Sequence, residues 1–155
     1  MRLTVHTDYA LRVLMYVAMH QDRLSTISEI SAIHRISRNH VMKVVHELGV
    51  AGYVETVRGQ HGGLRLAKKP QDIVLGDVVR TTEPDLALVS CFDSGGACAL
   101  TAACKLKRAI SDALKAFLAV LDSYTVADLV QNRGALTRLL GSDAKTSAAG
   151  AAHPV

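Results

Sequence analysis

The chain has 155 residues, 49% of them hydrophobic, with three cysteines and a net charge of +4. That length buries one core with a small accessory element and excludes two large domains. No apolar run reaches membrane-spanning length, and the stretch from Val13 to Met19 lies close behind Asp8 and Arg12 with no small-residue cleavage site after it, so the chain reads as cytoplasmic, without membrane or export segments.

The charge is uneven. Residues 1–70 hold ten Lys/Arg against five Asp/Glu and six of the seven His, whereas residues 71–155 hold eight against nine. A basic head on a near-neutral body points to phosphate backbones as partners. Ala10, Val13, Leu14 and Val17 recur at helical spacing, with Thr7 or Asp8 as the expected cap and Asp8–Arg12 as an i,i+4 pair. Thr26-x-x-Glu29 has capping-box spacing and opens a short helix through Ile27, Ile30 and Ile33. After His34-Arg35-Ile36, Ser37 caps a third helix whose Val41, Val44, Val45 and Leu48 face inward, and Gly49 and Gly52 are expected to end it. Two short helices joined by a tight turn behind a leading helix form a helix-turn-helix.

If those four residues face inward, Arg38, Asn39, Met42, Lys43 and His46 face out. Ser37, Arg38, Asn39 and His40 stand at the start of this helix, where a recognition helix meets base edges, with Lys43 one turn on. Arg grips guanine and Asn grips adenine bidentately; an ordinary solvated face is the competing reading. The period then switches to strands at 53–57 and 64–67 around Arg58-Gly-Gln-His-Gly-Gly63. No Lys-Ser/Thr follows that turn, which excludes a phosphate-binding P-loop. Arg58, His61 and Arg65, with Lys68 and Lys69 beyond, make it a basic wing suited to the neighbouring minor groove. The expected fold is therefore mainly α: a winged helix-turn-helix head over residues 1–70.

Pro70 closes the head, and a short helix from Ile73 to Thr82 ends at Glu83-Pro84. Cys91, Cys98 and Cys104 follow as C-x6-C-x5-C around a Gly-Gly pair. An odd number of thiols does not make a disulfide framework, and three in one polar loop suit a metal or cluster completed from elsewhere; three buried apolar thiols are the alternative. From Thr101 to about Tyr124, Leu106, Ile110, Leu114, Phe117 and Leu121 mark a helix over 30 Å long, more than the head covers. Pairing with its copy in a homodimer is the expected solution, and packing on the chain's own first helix is the alternative. Residues 71–140 thus form a cysteine-loop and dimerisation region, with a short helix capped by Thr125-x-x-Asp128; residues 141–155, rich in Ala, Gly and Ser, are expected to be a disordered tail.

Five features together carry a resemblance over roughly residues 1–140: Leu3-Thr4-x-x-Thr7-Asp8-Tyr9, Ser37-Arg38-Asn39-His40, the wing Arg58 to Leu66, Gly76-Asp-Val-Val79 and the three cysteines. The chain resembles the iron–sulfur winged-helix repressors that include IscR and NsrR. IscR-like members carry a cluster-ligating His three residues after the last Cys, where this chain has Lys107, so the resemblance is to the NsrR-type, nitric-oxide-sensing branch. It implies a homodimeric repressor with a [4Fe–4S] cluster, preferred over [2Fe–2S], on Cys91, Cys98, Cys104 and the partner's Asp8, which leaves operator DNA when nitric oxide attacks the cluster. From the residues alone Asp8 is equally a helix-terminal acid, and His6, Asp85 and Asp93 are rival donors. A bare-thiol redox switch, a zinc-stabilised regulator and an iron–sulfur carrier that binds no DNA are the other readings. No nucleophile or acid–base pair marks an enzyme.

Overall fold

The computed structural model describes residues 2–89 and 104–138. Among the described residues the elements follow in order: α1 (Val5–Met19), α2 (Ile27–His34), α3 (Arg38–Val50), β1 (Val54–Val57), β2 (Gly63–Leu66), α4 (Leu75–Thr82), α5 (Lys105–Asp122) and α6 (Val126–Leu129). A 3₁₀ turn at Pro70–Asp72 leads into α4, and residues 133–138 are helical. The mainly helical winged-helix fold expected from the sequence is the one observed. Among the described residues no helix is long and apolar enough to cross a membrane.

Helix α1 is the axis of the core. Ala10, Val13 and Leu14 are fully enclosed, and Tyr16, Val17, Ala18 and Met19 nearly so. Its apolar arc is wider than the four-residue stripe read from the sequence because α2, α3, β2, α4 and α6 all pack on it. The helix also starts a turn earlier than expected. Thr4, not Thr7 or Asp8, is the N-cap, and its hydroxyl accepts from the Thr7 N–H at 3.2 Å. Thr4 wins because its own N–H and hydroxyl donate to Glu83 Oε1 at 2.8 and 3.1 Å, while Thr7 is fully buried and accepts from the Thr82 hydroxyl at 2.9 Å.

The helix-turn-helix forms as its caps dictate. Thr26 and Glu29 close a reciprocal capping box on α2, and Arg35 leaves that helix in the left-handed region at φ 53°. Ser37 caps α3, and Val41, Val44, Val45 and Leu48 are all buried. Gly49 does not stop α3, which runs on through Val50; the reversal falls at Gly52, whose φ of +74° suits glycine.

In the wing, Val54 pairs with Leu66 and Val57 with Gly63 in antiparallel register. Of its three glycines only Gly59 takes a positive φ (+118°); Gly63 is there for close approach. A Cβ on Gly63 would lie 2.6 Å from the Ser25 carbonyl oxygen. Ser25 and Leu64 exchange backbone hydrogen bonds of 2.9 and 2.7 Å, which fasten the hairpin to the chain ahead of α2.

Residues beyond Pro70 return to the same core. Leu75 N–H donates to Tyr124 O and Val126 N–H to Ile73 O, both at 2.9 Å, and Ile73, Val78 and Val126 are fully buried among residues of α1. Helix α5 differs from the rest. It starts at Lys105, so at about 1.5 Å per residue its 18 residues span about 27 Å, shorter than expected because Cys104 caps it. Its main packing partner is α4, with Leu121 also against the shared core, and none of its residues is fully buried. Cys91, Cys98, Asp93, Thr101 and the tail 141–155 lie outside the described residues.

Candidate DNA-reading face and cysteine site

The exposed side of α3 follows from the burial of the opposite one. Ser37, Arg38, Asn39, His40, Met42, Lys43 and His46 are all exposed. The Ser37 hydroxyl accepts from the His40 N–H at 3.3 Å, so it is committed to holding the first turn. His40 lies on the flank nearer α1, with its ring centroid 6.0 Å from that of Tyr9. On the same flank the His6 ring of α1 lies against the Glu47 carboxylate of α3, a contact between the start of α1 and the later part of α3. Among the described residues Arg38 and Lys43 have no ion-pair partner. Two cations and an amide are left facing water over the first two turns of α3, and the packing behind the helix holds that edge in place.

The wing supplies a second, less uniform set of charges. Arg58, His61, Arg65, Lys68 and Lys69 are exposed. Arg65 stands opposite Glu55 in the strand register and pairs with it, which offsets its charge. Lys68 places its ammonium 5.2 Å from the Tyr53 ring centroid, a cation–π contact that holds its stem against the sheet.

Asp8 sits in the first turn of α1, where the helix dipole favours a carboxylate. The expected pair is present: Arg12 Nε lies 3.0 Å from Asp8 Oδ2 and donates to Oδ1 at 3.1 Å. His34 from α2 shares this neighbourhood. Burial first, and then the Arg12 charge, hold its imidazole below the ordinary histidine range, with Asp8 pulling the other way. Of the rival donors, His6 is engaged by Glu47, and Asp85 accepts from the Ala87 N–H at 2.6 Å within its own turn.

Cys104 is the cysteine within the described residues. It is a half-buried free thiol at the N-cap of α5, and its Sγ accepts from the Lys107 N–H at 3.4 Å. Lys107, the position that separates the two branches of the family, thus contributes its backbone to the thiol. Among the described residues no three His, Cys, Asp or Glu side chains gather into a metal-holding group. The far end of α5 is anchored: Arg80 donates to both oxygens of Asp122 at 2.7 Å, and this fork spans Gly76, where a Cβ would collide with the Asp122 carboxylate. The cysteine loop therefore leaves α4 and rejoins the chain at the end of α5 remote from that anchor.

Several of these contacts were not read from the sequence. Thr4-x-x-Thr7 ahead of an apolar run was a legible cap. The Thr4–Glu83, His6–Glu47 and Arg80–Asp122 pairs span 79, 41 and 42 residues, and nothing local announces them.

A helix-turn-helix with exposed cations on its second helix, backed by a two-stranded wing, defines a winged-helix DNA-binding protein. The Rrf2 family, described as iron-dependent transcriptional regulators, matches residues 3–132. Relatives named HTH-type transcriptional regulator NsrR are 51% identical in Geobacillus kaustophilus and 49% in Bacillus subtilis, each over 142 residues that cover 90% of this chain and 97% of theirs. Among solved structures, T. potens IscR aligns with TM-score 0.68 and 26% identity over 85% of this chain and 88% of its own. The B. subtilis global cysteine regulator CymR aligns with TM-score 0.67 and 26% identity over 85% of this chain and 98% of its own. The chain belongs to the Rrf2 family: it is a DNA-binding transcriptional regulator similar to the NsrR-type members, not an enzyme.

Proposed function

We propose that the chain is a homodimeric repressor that senses nitric oxide through an iron–sulfur cluster and gives up operator DNA when the cluster is lost. The observation that carries this reading is Cys104, a half-buried thiol at the N-cap of a helix that carries an apolar stripe and has no fully buried residue. Similarity to regulators named NsrR supports the same reading.

The donor set fits a cluster of the [4Fe–4S] type, with Cys91, Cys98 and Cys104 as thiolates and Asp8 of the partner subunit as an oxygen ligand. When bound, the cluster supplies iron that nitric oxide can ligate. The chain's own residues do the rest. The Lys107 N–H at the start of α5 orients the Cys104 sulfur, Arg12 orients the Asp8 carboxylate, and α1 links that carboxylate to α3 through Tyr9–His40 and His6–Glu47. The stripe Ile110, Leu114, Phe117 and Leu121, half-exposed in one chain, is the surface that a second copy would cover. On DNA, Ser37, Arg38, Asn39, His40 and Lys43 would meet the major groove, with Arg58, His61 and Arg65 in the minor groove and Lys68 and Lys69 on phosphate.

Anaerobic absorption spectroscopy with iron and sulfide analysis, alongside operator binding before and after nitric oxide, tests the reading. The expected result is a coloured protein whose operator affinity falls on exposure, and whose colour and specific binding are lost in Cys91→Ala, Cys98→Ala and Cys104→Ala while helical content persists. Three variants that keep iron and full affinity would overturn it.

A further inference from the structure

We propose that Met42 is a specificity-determining residue that reads the 5-methyl group of a thymine at a fixed position in each operator half-site. The inference rests on α3 being the recognition helix. It adds an apolar reader to a face otherwise made of Arg38, Asn39, Lys43 and His46.

The core does not need Met42. Val41, Val44, Val45 and Leu48 fill the inner side of α3, and Met42 remains 53% exposed on the opposite one. It follows Arg38 by four residues, so the two side chains lie one above the other, with Asn39 and Lys43 beside them. A large apolar side chain amid cations and an amide gains nothing from water there.

Its surroundings narrow the occupant. Met42 lines a groove of about 560 Å³ together with Ile27, Val45, His46, Val50 and Val54. The floor is apolar, and Arg38 and Lys43 stand on the same exposed face of α3. Glu55, the acid on its wall, is paired with Arg65. The occupant should therefore present a small apolar group flanked by anionic ones. The thymine methyl is the apolar group on the major-groove edge of a base pair, and phosphates run along both sides of it. Methionine is unbranched and flexible, which lets its thioether close on a methyl without strain.

The test uses the full-length protein, purified anaerobically, and a duplex that it selects from a randomised pool. Each thymine of the selected site is replaced in turn by deoxyuridine, which removes only the methyl. Wild type should lose roughly fourfold in affinity at one position per half-site, the worth of one buried methyl, and about sixteenfold when both half-sites are changed. Met42→Ala should bind the thymine and uracil duplexes alike, and Met42→Leu, which keeps the volume, should restore much of the difference. A wild type indifferent to every uracil, or a Met42→Ala protein with undiminished discrimination, would overturn the proposal. Arg38→Ala and Asn39→Ala separate the two levels. If they too leave sequence preference intact, α3 is not the reader and the proposal falls with it; if they abolish preference while uracil has no effect, Met42 alone is rejected.

Discussion

Helices α1 and α5 are of similar length, with 15 and 18 residues, yet they lie at opposite extremes of burial. Five elements surround α1, and its Ala10, Val13 and Leu14 have no exposure at all. Helix α5 touches α4 near one end and buries nothing completely; Leu106 is 67% and Val120 58% exposed. Both carry an apolar stripe at helical spacing, so periodicity alone does not distinguish a core helix from an interface helix. What separates them is whether the chain has enough remaining surface to cover the stripe. Among the described residues the stripe of α1 is covered completely and that of α5 only in part, which is what the proposed dimer would use.

The largest expected effects follow from that contrast. Leu14→Ala should cost about 2–5 kcal/mol, because a fully enclosed leucine leaves a cavity that rigid neighbours cannot fill. In thermal melts at several protein concentrations, Leu14→Ala should lower Tm everywhere and preserve its rise with concentration. Leu114→Asp should instead remove the concentration dependence and yield monomers in sedimentation, since a charge in a covered stripe lacks a partner. Should Leu114→Asp stay dimeric with an unchanged concentration slope, the stripe belongs to the chain's own core and the contrast between α1 and α5 disappears.

The same contrast explains what the sequence made legible. Thr26-x-x-Glu29, Ser37, Thr125-x-x-Asp128 and the valine stripe of α3 are local signals within one or two turns, and the structure realises each of them. The wing was legible because its strands lie next to each other in the chain. The start of α1 was misplaced because Thr4 and Thr7 are chosen by Glu83 and Thr82, residues that fold back from far along the chain. Gly49 has the look of a stop, but glycine inside a helix costs only about 1 kcal/mol, and the burial of Val45 and Leu48 just ahead of it outweighs that. Of the candidate cluster ligands, Asp8 and Cys104 are placed by helix termini, while Cys91 and Cys98 lie outside the described residues.

Smaller effects sharpen the boundary between the two regions. Gly76→Ala should displace the Asp122 carboxylate and loosen α5 from α4, at a cost of about 1–3 kcal/mol typical of overpacking. Urea titration of Gly76→Ala, Asp122→Ala and the double variant checks this: the glycine substitution should cost less once Asp122 is gone, and strict additivity would refute the collision. Gly52→Ala should cost about 1–2 kcal/mol, since an L-residue is strained at a φ of +74°. That loss belongs to the head alone, so it should appear equally in Leu114→Asp monomers and in the parent protein.

The smallest effect concerns pH at the α4–α5 anchor. The Arg80 fork holds the Asp122 carboxyl below the usual aspartate range, and the Thr125 hydroxyl does the same for Asp128. Because both values are depressed in the folded state, the stabilisation is fully present above the unfolded aspartate pKa of about 3.9 and is lost as pH falls through the lower folded values. Acid should therefore release α5 from α4. Both carboxyls are exposed, so solvent and salt weaken the effect, which should shrink as ionic strength rises. Arg80→Gln and Asp122→Asn should each flatten the acid limb of the Tm profile below about pH 4, and the double variant should flatten it no further than either alone. An acid limb that survives in Asp122→Asn combined with Asp128→Asn would move the pH sensitivity to Glu29 in the head. There, burial pushes the carboxyl up but the Thr26 N–H and Arg23 pull it lower overall, so the acid-labile contact would lie at the start of α2 and not at the α4–α5 junction.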